Sequence, residues 1–238
     1  MRFFETEPSV DFSRCHQIRG VMVGTVTDNQ DPEKLGRVKV KLQLREGEHE
    51  TDWIRIATLM TGADYGTMFV PEVEDEVLVA FHLGDINLPI VIGSLWNRQK
   101  KIPAVHEKND IRKIKTRSGH EIIFDDAEEG SIQIKTKKGI KVHLDDKEEK
   151  ISIADHSNSN SIEITAKSSN QIILKSSNTK ITINSKGEIS LEADNKVSIK
   201  SVQVGIEASG QMEIKANGSL KLESSGLVTI KGSMVKIN

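Results

Sequence analysis

From about Arg117 to the C-terminus, the chain repeats a short pattern of an apolar residue, a polar residue and a second apolar residue. Couplets such as Ile132/Ile134 and Ile151/Ile153 recur, with Gly, Asn, Ser, Asp and Lys between them. Alternation with period two in β-branched residues predicts strands and not helices. The residue types in between favour turns. The second half is therefore predicted to be a ladder of short β-strands.

The spacing of the couplets becomes regular toward the C-terminus. Early couplets lie about nine to eleven residues apart, whereas from Ile181 onward the step is mostly eight, with one shorter step around 202–206. Gly210, Gly218 and Gly226 mark the turns between couplets, where we expect φ > 0. Each late repeat is thus a strand of some five residues and a tight corner.

Such strands must stack, because two inward residues bury too little apolar surface for stability. One architecture is a single-chain solenoid with three strands per coil. The other is an intertwined trimeric triple-stranded β-helix, a prism to which each chain gives one strand per level. The second half has one aromatic residue, Phe124, and nearly all inward residues are Ile, Val or Leu. These thin aliphatic couplets suit a narrow shared axis, so we favour the homotrimer. Its predicted core is Ile181, Ile183, Ile189, Leu191, Val197, Ile199, Met212, Ile214, Leu220, Leu222, Val228 and Ile230.

The first half has longer alternating segments, which predict five strands. They cover 18–29, 35–45, 52–59, 76–83 and 89–96. Five strands in about eighty residues without helices fit a small closed barrel of the OB type. We therefore predict an all-β chain with four parts. These are an N-terminal arm (1–17), which either frays or docks on a neighbour, an OB-fold barrel (18–97), a neck (98–116) and the β-helix spike (117–238).

Composition excludes several classes of protein. The net charge of −2 argues against a general binder of nucleic acid or anionic membranes. Cys15 is the one cysteine, so no disulfide framework is expected. No apolar run has the length of a membrane span, and Met1–Val10 lacks the apolar core of a signal peptide. We expect synthesis in the cytoplasm without a signal peptide.

Residues with catalytic or metal-binding potential are scattered. The seven histidines form no H-x-H or H-E-x-x-H motif. The pairs Asp125-Asp126 and Asp145-Asp146 lack the alternating pattern of a calcium loop. No nucleophile elbow is present. We predict no catalytic residue, no cofactor and no metal site, and no enzymatic activity.

Two other functions are alternatives. A left-handed β-helix acyltransferase also repeats short aliphatic strands, but its period is about six. It needs a histidine in its coils, and none follows His156 here. An OB-fold module that binds oligosaccharide or nucleic acid would need exposed aromatic side chains on a basic face. The candidate aromatics, for most of which the strand pattern indicates core packing, are Trp53, Tyr65, Phe69, Phe81 and Trp96.

Three motifs in the first half resemble the OB domain of the contractile-tail spike family. This family comprises phage baseplate assembly protein V and the valine–glycine repeat proteins of type VI secretion. The motifs are DPEKLGRV at 31–38, FVPEVEDEVLVAF at 69–81, and Gly84-Asp85, Pro89, Val91 and GSLWN at 93–97. The resemblance covers about Gly20 to Asn97. Glu74 departs from it, because a glycine is common in the turn before the fourth strand.

The resemblance implies that a trimeric triple-stranded β-helix, often in octads, follows the barrel. It implies a non-enzymatic central spike of a contractile injection machine such as a phage tail, a tailocin or a type VI-like system. Such a spike is assembled into a virion baseplate or injection apparatus, pierces the target envelope on sheath contraction and contacts the target membrane transiently. Because the chain begins almost directly at the barrel, a separate hub protein is expected at the OB end.

The C-terminal end of the ladder carries neither a charged cap nor a proline. Three final strands would leave a flat face with unpaired backbone groups, which proteins usually cover. We expect a tip protein of the proline–alanine–alanine–arginine repeat kind to dock there, on Met234, Val235, Ile237 and Asn238. Alternatively, the last turn folds inward and Met234 seals the end.

Overall fold

The computed structural model describes residues 18, 20–44, 47–103 and 107–237, and the predicted N-terminal arm and Asn238 lie outside them. The described residues form strands and one short 3₁₀ turn, with no α-helix among them, which confirms the all-β prediction. The strands of the first part are β1 (Val21–Asp28), β2 (Lys39–Leu44), β3 (Gly47–Glu50), β4 (Arg55–Ile56), β5 (Thr61–Gly62), β6 (Tyr65–Gly66), β7 (Glu76–Phe81) and β8 (Pro89–Leu95).

The first part is built on a six-stranded sheet of order β3-β2-β1-β7-β8-β4. The five predicted strands correspond to β1, β2, β4, β7 and β8, whereas β3 and the β5–β6 hairpin were not predicted. Strand β4 pairs in parallel with β8, and a bridge between Val38 and Ile54 connects β4 back toward β2. The buried core consists of Val26, Val38, Val40, Leu42, Ile54, Val77, Val79, Phe81 and Val91.

The chain enters and leaves this barrel at opposite ends. At one end, the Ile18 amide donates to the Gly84 carbonyl at 2.9 Å, beside the end of β7. At the other end, Leu95 at the end of β8 pairs with Glu76 at the start of β7. The six residues of β7 separate these ends by about 20 Å. We call them the entry end and the exit end.

The second part begins with a nine-stranded sheet. Its strands are β9 (Ile111–Lys115), β10 (Glu121–Asp125), β11 (Ser131–Lys135), β12 (Lys141–Asp145), β13 (Lys150–Ala154), β14 (Asn160–Thr165), β15 (Gln171–Ser176), β16 (Thr179–Asn184) and β17 (Ile189–Glu192). Each strand pairs antiparallel with the next along the chain, so the sheet is a meander. Strand β9 lies inside the segment predicted as the neck. A single-chain coil would need parallel pairing, so the solenoid alternative is wrong for residues 111–192.

Residues 193–237 are extended but form no strand. Bends interrupt them at 194–195, 202, 209–210, 217–218, 225–226 and 233, at intervals of about eight residues. Gly210, Gly218 and Gly226 lie at three of these bends, but none has φ in the left-handed region, so the predicted φ > 0 is wrong. No backbone–backbone hydrogen bond spans these bends among the described residues, so they are not hairpin turns. Left-handed glycines do occur where the meander reverses, at Gly119 and Gly139.

Candidate assembly interface

The register of the meander places the ladder residues in two columns, one across all nine strands and one across the eight strands β10–β17. Every apolar couplet residue lies directly opposite a couplet residue of the neighbouring strand. One column contains Ile114, Ile122, Ile134, Val142, Ile153, Ile162, Leu174, Ile181 and Leu191. The other contains Phe124, Ile132, Leu144, Ile151, Ile164, Ile172, Ile183 and Ile189. Because side chains alternate between the faces of a strand, both columns lie on one face.

None of the residues that the structure describes forms a covering layer on this apolar face. Most of its Ile and Leu residues are between one third and one half exposed, and Ile189 is more so. On the opposite face, the small residues Ser152, Ala154 and Ser161 are buried. An exposed apolar surface of this extent marks an interaction site in a soluble protein. We call it the column face.

The opposite face carries charged residues that pair across strands. Glu121 accepts from Lys113 at 3.1 Å and from Lys115 at 3.0 Å, and these two hydrogen-bonded ammonium groups lower the pKa of the Glu121 carboxyl. Lys150 and Glu163 form a further pair at 2.8 Å. This face thus carries both cross-strand ion pairs and the apolar residues Ile111, Ile123 and Ile173, whereas the column face is apolar throughout the two columns.

Beyond Glu192, the couplets continue without any backbone partner. Of the described residues 193–237, none takes part in a backbone–backbone hydrogen bond. Nearly every N–H and C=O group of this segment is left to water or to another chain. An extended segment of this length is not stable alone. It therefore requires partner strands.

The exposure of the terminal couplets repeats with the octad. Met212 and Ile214 are 50% and 65% exposed, and Val228 and Ile230 are 51% and 70% exposed. Near residue 202, where the step is irregular, Val204 and Ile206 show the same pattern, at 54% and 74% exposed, whereas Val202 is fully exposed. The couplet there is therefore shifted by two residues from Val202/Val204.

The predicted core residues fall into two groups. Ile181, Ile183, Ile189 and Leu191 lie together on the column face, in β16 and β17. The others lie along the extended segment, where a single chain does not bring them together: Val197, Ile199, Met212, Ile214, Leu220, Leu222, Val228 and Ile230. Of the predicted tip face, Met234, Val235 and Ile237 are exposed.

The DPEKLGRV motif is a loop clamped by its own side chains at the exit end. Asp31 accepts from Arg37 Nε at 2.9 Å and from Arg37 Nη2 at 2.8 Å, and from the amides of Glu33 and Leu35. The guanidinium is the main cause of an Asp31 pKa far below its usual range. The ion pair and hydrogen bonds of Asp31 therefore fix the shape of this loop.

The departure from the family pattern at Glu74 leaves the turn intact. Glu74 adopts φ 70°, the conformation that a glycine would take most easily. Its amide donates to the Val26 carbonyl at 2.8 Å, and the Asp75 amide donates to the Glu72 carbonyl. The turn geometry is therefore kept at the cost of local strain.

The acidic loop residues cap turns. Asp125 and Asp145 each accept a backbone amide within their own loop. Asp155 accepts from Ser157, Ser159 and Asn160, and these hydrogen bonds, led by the Asn160 side chain, lower its pKa to about 2. Among the described residues, no three His, Cys, Asp or Glu side chains lie close enough together to hold a metal. The same residues contain no helix that is long and apolar enough to cross a membrane.

The aromatic residues of the barrel are less buried than their strand pattern indicated. Phe81 belongs to the core, but Tyr65, Phe69 and Trp96 are each more than 60% exposed. For Trp96, the prediction of core packing is wrong, whereas Tyr65 and Phe69 lie outside the five predicted strands. Tyr65 and Phe69 belong to an apolar hairpin that the sequence reasoning missed. Its signal was the near absence of charge from residue 56 to 70, where Asp64 is the one ionisable acid or base.

Comparison with known proteins identifies the barrel. Residues 22–96 match the type VI secretion system/phage-baseplate injector OB domain. The type VI secretion system spike protein VgrG3 of Vibrio cholerae is 32% identical over 132 residues, 50% of this chain and 13% of that protein. The spike protein VgrG2a of Pseudomonas aeruginosa is 37% identical over 86 residues, 34% of this chain and 10% of that protein.

The matched region is thus a small part of the length of these relatives. The match to VgrG3 covers half of this chain, and the match to the OB domain, at residues 22–96, includes the clamped loop and the turn at Glu74. Residues 22–96 therefore form an OB domain of the kind found in type VI secretion system/phage-baseplate injectors, and the chain is similar to type VI secretion system spike proteins.

Proposed function

We propose that three copies of this chain form the non-enzymatic central spike of a contractile injection machine. The three column faces meet around a common axis and form a prism with charged outer faces. Beyond Glu192, the three chains wind around one another, and each couplet layer is completed by all three. The proposal rests mainly on the column face, which is apolar on every strand of the meander and exposed in the single chain.

The energetics favour such an assembly. Burial of the exposed half of an Ile or Leu side chain contributes about 1 kcal/mol. Each chain offers seventeen such positions in the two columns, and three chains contribute together. The sum exceeds the roughly 4–15 kcal/mol lost in translational and rotational freedom on association.

The extended segment supports intertwining in particular. Its bends recur at about eight residues, and each stretch between bends presents one couplet. Three such chains around one axis would pair the free backbone groups of each chain with those of its neighbours. A fully hydrogen-bonded prism of this kind is stiff, because bending it breaks many contacts at once. A part that transmits axial force during contraction and pierces an envelope requires this stiffness.

The two ends of the spike would bind different partners. A hub protein would bind the OB domains at the entry end, opposite the spike. A tip protein of the proline–alanine–alanine–arginine repeat kind would bind the apolar face at Met234, Val235 and Ile237, which three chains would present together. Contact with the target membrane would be transient.

Electron microscopy of the purified chain tests the shape. We expect a narrow rod attached to a three-lobed head. Co-purification with candidate tip proteins tests whether the C-terminal face binds them. The full chain is compared with a version that stops at Gly232. The full chain should retain the tip protein and the shortened one should lose it. Globular particles without a rod would contradict the spike, and equal retention by both versions would contradict the tip face.

A further inference from the structure

The barrel carries an exposed apolar hairpin that the spike prism does not use. It comprises residues 58–69 and includes β5 and β6. Leu59, Met68 and Phe69 are 95%, 81% and 71% exposed. Met68 and Phe69, together with Met60 and Tyr65, line a groove that Leu35 of the clamped loop also lines.

The hairpin is built to hold one shape. The Thr58 hydroxyl and the Thr67 carbonyl lie 2.6 Å apart, and the Thr67 amide donates to the Met60 carbonyl at 3.0 Å. The Tyr65 ring lies over Gly62, where a Cβ atom would be 2.1 Å from the ring carbon Cζ. Gly66 has φ 145°, and a Cβ atom there would be 2.4 Å from the Met60 carbonyl oxygen. These apolar side chains are therefore presented by a fixed scaffold.

The topology places the hairpin at the exit end of the barrel. Strand β4 runs parallel to β8 and so points toward that end, and the hairpin follows it directly. The chain then returns through Pro71, whose carbonyl accepts from Asn29 at 3.0 Å. Three residues after Phe69, Glu72 forms an ion pair at 2.8 Å with Arg117, in the turn between β9 and β10. The hairpin thus lies beside the first strands of the column face.

We propose that this hairpin packs against the OB domain of a neighbouring copy and forms an apolar collar where the barrels join the spike. This inference rests on the proposed trimer. Three barrels attached to the top of one prism are held at high effective concentration around its axis. The hub would bind at the entry end, about 20 Å away. The neighbouring copy also exposes Trp96 at its exit end, which gives the hairpin an apolar surface to meet.

Photo-crosslinking of the full-length chain tests the collar. A benzoylphenylalanine replaces Phe69, and in a control protein it replaces Leu83, an exposed apolar residue at the entry end. The mass of each unirradiated particle is measured by light scattering on the same sample. We expect trimers in both cases, with chain-to-chain adducts from position 69 that map to the OB domain of another copy, and no such adduct from position 83.

The outcomes separate the two proposals. A trimer that gives no interchain adduct from position 69, or gives as much from position 83, would overturn the collar and leave the spike intact. A trimer that is linked from position 69 only to an added hub protein would also overturn it. A folded monomer would overturn both proposals.

Discussion

At the scale of single residues, the geometry of the turns depends on backbone conformation and on hydrogen bonds to charged groups. Glu74 occupies a left-handed turn position with an exposed side chain. Asp155 holds its loop through hydrogen bonds from three residues. Both features can be tested by substitutions that change one property at a time.

Replacing Glu74 by glycine should leave the barrel at least as stable. The relief of left-handed strain contributes about 1 kcal/mol, and the greater freedom of glycine in the unfolded chain offsets about half or more of it. Glu74→Val should destabilise by about 1–2 kcal/mol, because a β-branched residue tolerates φ 70° poorly. Thermal unfolding of the two variants measures the difference. If the valine variant is as stable as the glycine variant, the turn does not hold this conformation.

Asp155 gives the meander a stabilising contribution that depends on pH. Its pKa is lowered from 3.8 to about 2 in the folded chain, so the contribution is complete above the ordinary value and is lost as the pH falls toward 2. Asp155→Ala should therefore lower the melting temperature near neutral pH, and the gap to the parent protein should close as the pH approaches 2. A gap of constant size down to that pH would contradict the assignment.

At the scale of elements, the strands of the barrel are packed so closely that one position requires glycine. Gly24 in β1 pairs with both Leu42 and Val77. A Cβ atom there would lie 2.4 Å from Val40 Cγ1, in the buried core. Gly24→Ala should cost about 1–3 kcal/mol by overpacking, measured by chemical denaturation. The control is Gly93→Ala in β8, where a Cβ atom meets nothing within 4 Å and little change is expected.

The ladder of couplets was predictable, but its pairing partners were not. Alternation looks the same whether a strand pairs within its chain or with another chain, so the meander was not separated from the extended segment. Loop length distinguishes the meander from the extended segment. The loops at 126–130 and 136–140 are long enough to reverse the chain, whereas the octads leave room for only a bend. The exposed hairpin was missed because its two strands are only two residues long and carry no alternating pattern.

The inward and outward phase of the octads can be tested by one pair of substitutions. Leu222→Asp would place three carboxylates around the proposed axis at one level, where desolvation and mutual repulsion oppose assembly. Lys221→Asp changes an exposed residue that pairs with Glu223 on the surface, and such pairs contribute at most about 1 kcal/mol. Size-exclusion chromatography should show loss of the assembled species for Leu222→Asp alone. Equal behaviour of the two variants would contradict the phase.

At the scale of the whole molecule, the chain divides into three regimes. The barrel has a core of its own, and the meander pairs its own strands but leaves one apolar face exposed. The described residues 193–237 make no backbone–backbone hydrogen bond. Dependence on other copies thus increases from the first part to the last. Three chains that share one axis would cover the apolar face of the meander and would also give the terminal segment its partner strands.

The mass of the particle in dilute solution tests this account most directly. Light scattering on the full-length chain should give three times the 26.4 kDa chain mass, and the value should not fall on dilution, because intertwined chains cannot separate without unfolding. Circular dichroism of the same sample verifies that the β-structure is intact. A folded particle of 26.4 kDa would contradict the shared axis, and with it the spike.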